Sequence, residues 1–135
     1  MRFVKLSEEG IKRTATTYQN LMAEAWEVLF YLWGKGIGEE IADKISDEDD
    51  HLEKGANLIE GRGWTQEMVL EENLAIAKGS IEADPSFDDP SCHILRGIIC
   101  SIHENSTPKI IEVEEVKCES LGNKHCEFEI KEREL

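Results

Sequence analysis

Basic residues are scarce in this chain. Fifteen lysines and arginines stand against 29 aspartates and glutamates, for a formal net charge of −14 at pH 7, and such a surface repels phosphate backbones and anionic lipid heads. Nucleic acid and membrane surfaces are therefore not expected as partners, and the charge reads first as solubility. Long apolar runs are also missing: the greasiest window, LMAEAWEVLFYLW, is too short to span a bilayer and contains Glu24 and Glu27. The opening MRFVKLSEEG has no apolar stretch of signal-peptide length, so the expected location is the cytoplasm. Proline is rare, and two of the three fall in Asp84 to Pro90 (DPSFDDP), which therefore reads as a loop. There is no HExxH, no grouping of Ser, His and Asp by spacing, and no nucleotide fingerprint. The glycine cluster WGKGIGEE follows a helical pattern rather than a strand and lacks the Lys-Ser or Lys-Thr ending of a phosphate loop, so it reads as a flexible joint between two helices.

The sequence does hold enough apolar material, 40% of 135 residues, to bury one substantial core, and a single domain over residues 1–135 is expected. From Ala15 to Trp33 apolar side chains recur as Tyr18, Leu21, Met22, Ala25, Trp26, Leu29, Phe30 and Trp33, the spacing of one helix face. Gly34, Gly36 and Gly38 are read as ending that helix, with Ile37, Ile41, Ala42 and Ile45 marking a short second one. Ser46, followed by Asp47, Glu48 and Asp49, reads as the N-cap of a third helix that runs to about Glu60 and stops at Gly61 or Gly63. The stretch Trp64 to Ala83 fits either a helix or two short strands around Glu72 and Asn73. After the proline loop, Cys92, Leu95, Ile99, Ile102 and His103 share a helix face, closed by Pro108. Lys109 to Lys131 alternates around Leu121-Gly122-Asn123 as an antiparallel hairpin.

Four cysteines in a reducing compartment are core residues, metal ligands or reactive thiols more often than disulfides. Cys118 and Cys126 flank the hairpin tip symmetrically, so the turn brings their sulfurs together. Cys92 sits where the loop enters a helix and can face the hairpin. Three thiolates and one further oxygen or nitrogen would complete the closed four-coordinate shell of structural zinc; buried unligated cysteines are the competing reading. Cys100 lies about two turns beyond Cys92, too far to share its ion, and reads as a core thiol. The stripe Tyr18, Trp26, Phe30 and Trp33 reads as core.

The segments CHILRGIICSIHE and VEEVKCESLGNKHCEFEI resemble the C-terminal signature of the 4-vinyl reductase domain family. In that signature a Cys-led helix precedes Glu-x-x-Cys, seven intervening residues, and a second Cys followed by x-Phe. Cys92, Glu115, Cys118, Cys126 and Phe128 fall into register. The resemblance implies an α+β fold with helices packed on an antiparallel sheet, as in the ligand-binding domains of nitric-oxide signalling and Golgi transport, enclosing an apolar pocket. It also implies a zinc ion on Cys92, Glu115, Cys118 and Cys126. A regular strand would turn Glu115 and Cys118 to opposite faces, so this ligand set requires a bulge or strand end between them; with a regular backbone, Glu114, His93 or His125 would supply the fourth ligand. Trp26, Phe30, Trp33 and Trp64 are the expected pocket residues.

The function implied is a sensor that encloses a small apolar or aromatic molecule. It is expected to form a homodimer, as the resembled sensors do, with Phe30, Tyr31, Leu32 and Trp33 leaving their helix greasy on more than one side. The sensory activators of the family fuse such a domain to an ATPase and a DNA-binding unit; neither fits in this chain, so output is expected through a protein partner. Two other readings stand beside it: an enzyme or accessory subunit in reduction of a vinyl group, and a structural adaptor.

Overall fold

The computed structural model describes residues 1–46 and 49–133. Ser7 opens α1 (Glu8–Met22) as a working N-cap, its hydroxyl oxygen accepting from the Gly10 N–H at 2.9 Å, with Glu8 and Glu9 in the first turn where the helix dipole favours negative charge. The helix ends at Ala23, which takes φ 49°. A new helix, α2 (Ala25–Ile45), then runs without a break. The single helix expected from Ala15 to Trp33 is thus two helices, and the second continues through all three glycines.

The glycines are not a joint, and packing explains why. Along α2 the buried positions Trp26, Phe30, Gly34, Gly38 and Ala42 recur every four residues, a ridge that meets α4 (His93–Glu104). A Cβ on Gly34 would lie 1.9 Å from the Ile94 carbonyl oxygen, and one on Gly38 would lie 2.7 Å from that of Ile98. Gly97 answers from α4, where a Cβ would come within 2.1 Å of the Tyr31 carbonyl oxygen. The two backbones touch because these positions carry no side chain.

Helix α3 (His51–Gly61) stops at one of the two expected glycines. Its N-cap is Asp50, and Ser46 instead closes α2; Asp47 and Glu48 lie outside the described residues. The ambiguous stretch forms β1 (Glu67–Leu70) and β2 (Leu74–Lys78), as the two-strand alternative has it. The expected hairpin is β3 (Ile110–Lys117) and β4 (Cys126–Arg133), joined by a 3-10 turn at Glu119–Leu121 and Gly122 at φ 90°.

The sheet is antiparallel in the order β1-β2-β4-β3, so the strand that comes last in sequence is central, pairing Ala75 with Phe128 on one side and Val113 with Ile130 on the other. Alternation puts Met68, Leu70, Ala75, Ala77, Ile111, Val113, Cys126, Phe128 and Ile130 inward. Four helices pack on this sheet, the α+β arrangement expected. Helix α4 is its spine, with every residue from Ile98 to His103 buried. Among the described residues, no helix is long and apolar enough to cross a membrane.

Candidate metal centre

The loop after β2, the first residue before α4 and the two ends of the β3–β4 hairpin meet at one edge of the core. Cys92 is the N-cap of α4, Cys118 stands between the end of β3 and the 3-10 turn, and Cys126 opens β4. All three sulfurs are fully buried, and with a Glu115 carboxylate oxygen they form a group whose donor atoms all lie within 4.8 Å of one another. The Sγ atoms of Cys92 and Cys126 are 3.6 Å apart. Glu115 reaches the group because the β3–β4 register shifts between Glu115 and Lys117; this is the irregularity its side chain needs to join the face of Cys118.

Packed together in the core, the four donors shift one another's proton affinities. Burial, with Cys118 beside it, pushes the Glu115 carboxyl up to about 9. Its Oε1 accepts from the Cys92 N–H at 3.0 Å, while Oε2 is buried without any hydrogen-bond partner. The thiols of Cys126 and Cys92 donate toward Cys118 and hold it well below the usual thiol range, and both are raised in turn. A buried carboxylate with one oxygen left unpartnered, grouped with three sulfurs, is a donor set that fits a cation. Cys92, Glu115, Cys118 and Cys126 lie close enough to hold a metal ion.

The alternative fourth donors stand elsewhere. His125 contacts Glu127 at 3.2 Å, and Glu114 points outward on β3. His93 packs edge-on against Trp26 at 4.9 Å, and burial lowers its imidazole to about 4. Cys100 is buried on α4 away from the group, donating to the Ile111 carbonyl oxygen at 3.3 Å. Of the four expected pocket residues, the structure gathers three: Phe30 meets Trp26 at 5.3 Å and Trp33 at 5.7 Å, both edge-on. Trp26 and Phe30 are buried, and Trp33 is 41% exposed. Trp64 stands apart between α3 and β1, its backbone bonded to Ile59 and Ile81. An open cleft of about 940 Å³ between α1 and the loop at 84–87 has a mostly charged and hydroxylated lining that includes Lys12, Asp84 and Phe87.

Several residues that support the cluster carry no sequence signal of their own. Glu82 is wholly buried and accepts from the N–H groups of Ile94 and Leu95, both at 2.9 Å, capping the first turn of α4; burial pushes its carboxyl up to about 8 against those two bonds. Ser91 donates to the Glu82 carbonyl oxygen at 2.9 Å and lies 2.8 Å from the Ser120 hydroxyl. They sit in loops, where neither helical nor strand period marks a functional position.

Residues 76–132 match the family model of the V4R domain, a span that contains all four clustered donors. Two uncharacterized proteins of Methanocaldococcus jannaschii are similar in sequence, one 30% and the other 32% identical, each match covering 78% of this chain. The chain spans 64% of the length of each of these relatives. Among solved structures, the phenol-responsive sensory domain of the transcription activator PoxR, determined with phenol, superposes with a TM-score of 0.79 at 18% identity, over 98% of this chain and 77% of that one. A vinyl-4-reductase family protein from Methanocaldococcus jannaschii superposes with a TM-score of 0.59 at 21% identity, over 99% of both chains. These likenesses carry the fold, and the segment 76–132, which holds the four clustered donors, is similar to the V4R domain.

Proposed function

We propose that this chain is a cytoplasmic sensor domain that binds a small apolar or aromatic molecule and is braced by a structural zinc ion on Cys92, Glu115, Cys118 and Cys126. The observation that carries the metal reading is the convergence of these four buried donors. Zinc takes thiolate sulfur at about 2.3 Å in a tetrahedron, which sets sulfurs about 3.8 Å apart; the 3.6 Å between Cys92 and Cys126 supports that fit. Three soft thiolates also select zinc over magnesium or calcium, which take oxygen shells. A bound zinc ion would supply a closed cross-link. The chain's own residues do the rest: Cys92 ties α4 to the site, and the two hairpin cysteines tie β3 and β4. Metal analysis of protein purified without added metal should find one zinc per chain, lost in both Cys118→Ser and Cys126→Ser. Unchanged zinc in both variants would refute the site.

The sensor reading draws on the likeness to a phenol-responsive domain and on the aromatic group of Trp26, Phe30 and Trp33, with Trp64 proposed to complete the pocket lining. Phenol is the first probe to use. Titration should perturb tryptophan fluorescence, and Phe30→Ala should weaken the response; no response to phenol or to larger aromatic probes would count against it. We also assign a homodimer, with output through a protein partner. Leu21, Val28, Leu29 and Leu32 are exposed beside Trp33, an apolar face of the kind that a second copy covers. Light scattering should return twice the chain mass, and a monomer mass across a wide concentration range would refute the dimer.

A further inference from the structure

One residue outside the four donors reaches the cluster from two directions. The backbone N–H of Glu119 points at Cys126 Sγ from 3.4 Å. Its carboxylate accepts from the N–H groups of Gly79 at 3.2 Å and Ser80 at 3.1 Å, and its Oε1 also lies 3.5 Å from Cys126 Sγ. Gly79 makes the turn that offers these two donors, at φ +68°, where a Cβ would meet the Gln66 side chain at 2.6 Å. Held in this way, Ser80 sets its hydroxyl oxygen 3.2 Å from Cys92 Sγ. That oxygen already accepts from the Glu82 N–H at 3.3 Å, which leaves the hydroxyl proton to donate to sulfur. Ser80 is 6% exposed and Cys92 is fully buried, so bulk water does not compete.

Charge gives this contact its significance. A divalent ion on three thiolates and a carboxylate leaves a net charge of about −2 in a buried site. Among the described residues, no lysine or arginine hydrogen-bonds or ion-pairs with any of the four donors; their polar neighbours are hydroxyls, backbone N–H groups and the Glu119 carboxylate. The fixed donors must therefore carry the excess charge.

We propose that Ser80 is a positioning residue of the metal centre: oriented by the Glu119 carboxylate, its hydroxyl donates to the Cys92 thiolate and withdraws electron density from the metal–sulfur bond. This rests on the zinc-site reading. A thiolate that loses its donor becomes more electron-rich, so charge transfer from sulfur to the metal needs less energy. Outer hydrogen bonds of this kind also hold the ligand in place, and their loss weakens metal binding roughly tenfold or more.

Cobalt(II) added to chelator-stripped protein reports both effects. Wild-type protein should take up one cobalt per chain and show a sulfur-to-cobalt charge-transfer band. Ser80→Ala should keep that stoichiometry and the wild-type circular dichroism, move the band to longer wavelength, and weaken binding about tenfold in chelator competition. Ser80→Thr, which keeps the hydroxyl, should restore the band. Glu119→Gln should move it in the same direction by less, since the backbone N–H to Cys126 remains. A purely structural role for Ser80 would lower stability without moving the band. An unmoved band and unchanged affinity in Ser80→Ala overturns the inference while leaving the metal site standing; should that variant fail to fold, an unmoved band in Glu119→Gln overturns it. Wild-type protein that takes up no cobalt overturns the zinc-site reading and this inference together.

Discussion

Replacing Gly34 and Gly36 by alanine, one at a time, separates two accounts of α2. In a flexible joint both substitutions would stiffen the same loose segment and act alike. In the structure the two glycines stand in opposite circumstances. A Cβ on Gly36 meets nothing within 4 Å, so alanine there brings only its better helix propensity, about 1 kcal/mol. A Cβ on Gly34 falls 1.9 Å from the Ile94 carbonyl oxygen and 2.7 Å from its carbon. Both are backbone atoms, so no rotamer change relieves the overlap, and α4 must recede by about 1 Å to reach even a tight contact. Overpacking of a filled interior costs about 1–3 kcal/mol, and the absence of a soft neighbour puts Gly34→Ala at the upper end. After the propensity gain, a net loss of about 2 kcal/mol remains. With roughly 3–4 °C per kcal/mol for a chain of this size, Gly36→Ala should raise Tm by about 3 °C and Gly34→Ala should lower it by about 7 °C. Thermal unfolding followed by circular dichroism measures both. Ile94 is two residues from Cys92, so Gly34→Ala should also weaken metal retention, whereas Gly36→Ala should not. Equal shifts in Tm for the two variants would refute close packing of α2 on α4.

Glu82→Gln should flatten the dependence of stability on pH. The Glu82 carboxyl is raised by burial to about 8, so its contribution is fully present below the unfolded value near 4.5 and is lost as pH rises through 8, a change on the order of 5 kcal/mol at full ionisation. Wild-type Tm should fall between pH 5 and 8.5 relative to the variant's, and parallel curves would contradict this. If the proposed zinc clips the hairpin, hydrogen exchange with and without a strong chelator should show residues 118–130 losing protection while α2 and α4, held by their own packing, stay slow. Uniform loss in both regions would refute a local clip.

Part of the cluster was legible in the residues themselves, since Cys118 and Cys126 flank one turn; Cys92 lies far from them in sequence, and Glu115 entered only through the family resemblance, which then demanded the irregularity beside it. The break after Met22 was not legible. Ala23 and Glu24 are good helix formers, and apolar residues on both sides of the break face the same core, so the period runs across it unbroken. The misreading of Gly34 and Gly38 has a different cause. Glycine weakens an isolated helix, and only the facing backbone of α4, some sixty residues away in sequence, turns that weakness into a contact. The strands at Glu67–Leu70 and Leu74–Lys78 were undecided for a related reason, since pairing of β2 with β4 is a long-range fact. Glu82, Ser80 and Glu119 escaped notice because loops carry no periodic signal.

The central place of β4 sets a timetable for synthesis. β2 leaves the ribosome with its Leu74–Ala77 edge unpaired, and its partner, Cys126 to Glu129, follows only after the 47 residues that lie between Lys78 and Cys126. At about 5–20 residues per second the nascent chain carries that open edge for several seconds. Helix α4, already made, can rest on α2 in the interval, but the sheet that should lie against it has only two of its four strands. Cys126 also arrives with that last strand, so neither the sheet nor the four-donor cluster can close before it. Any encounter with another unfinished chain during those seconds would happen along this edge.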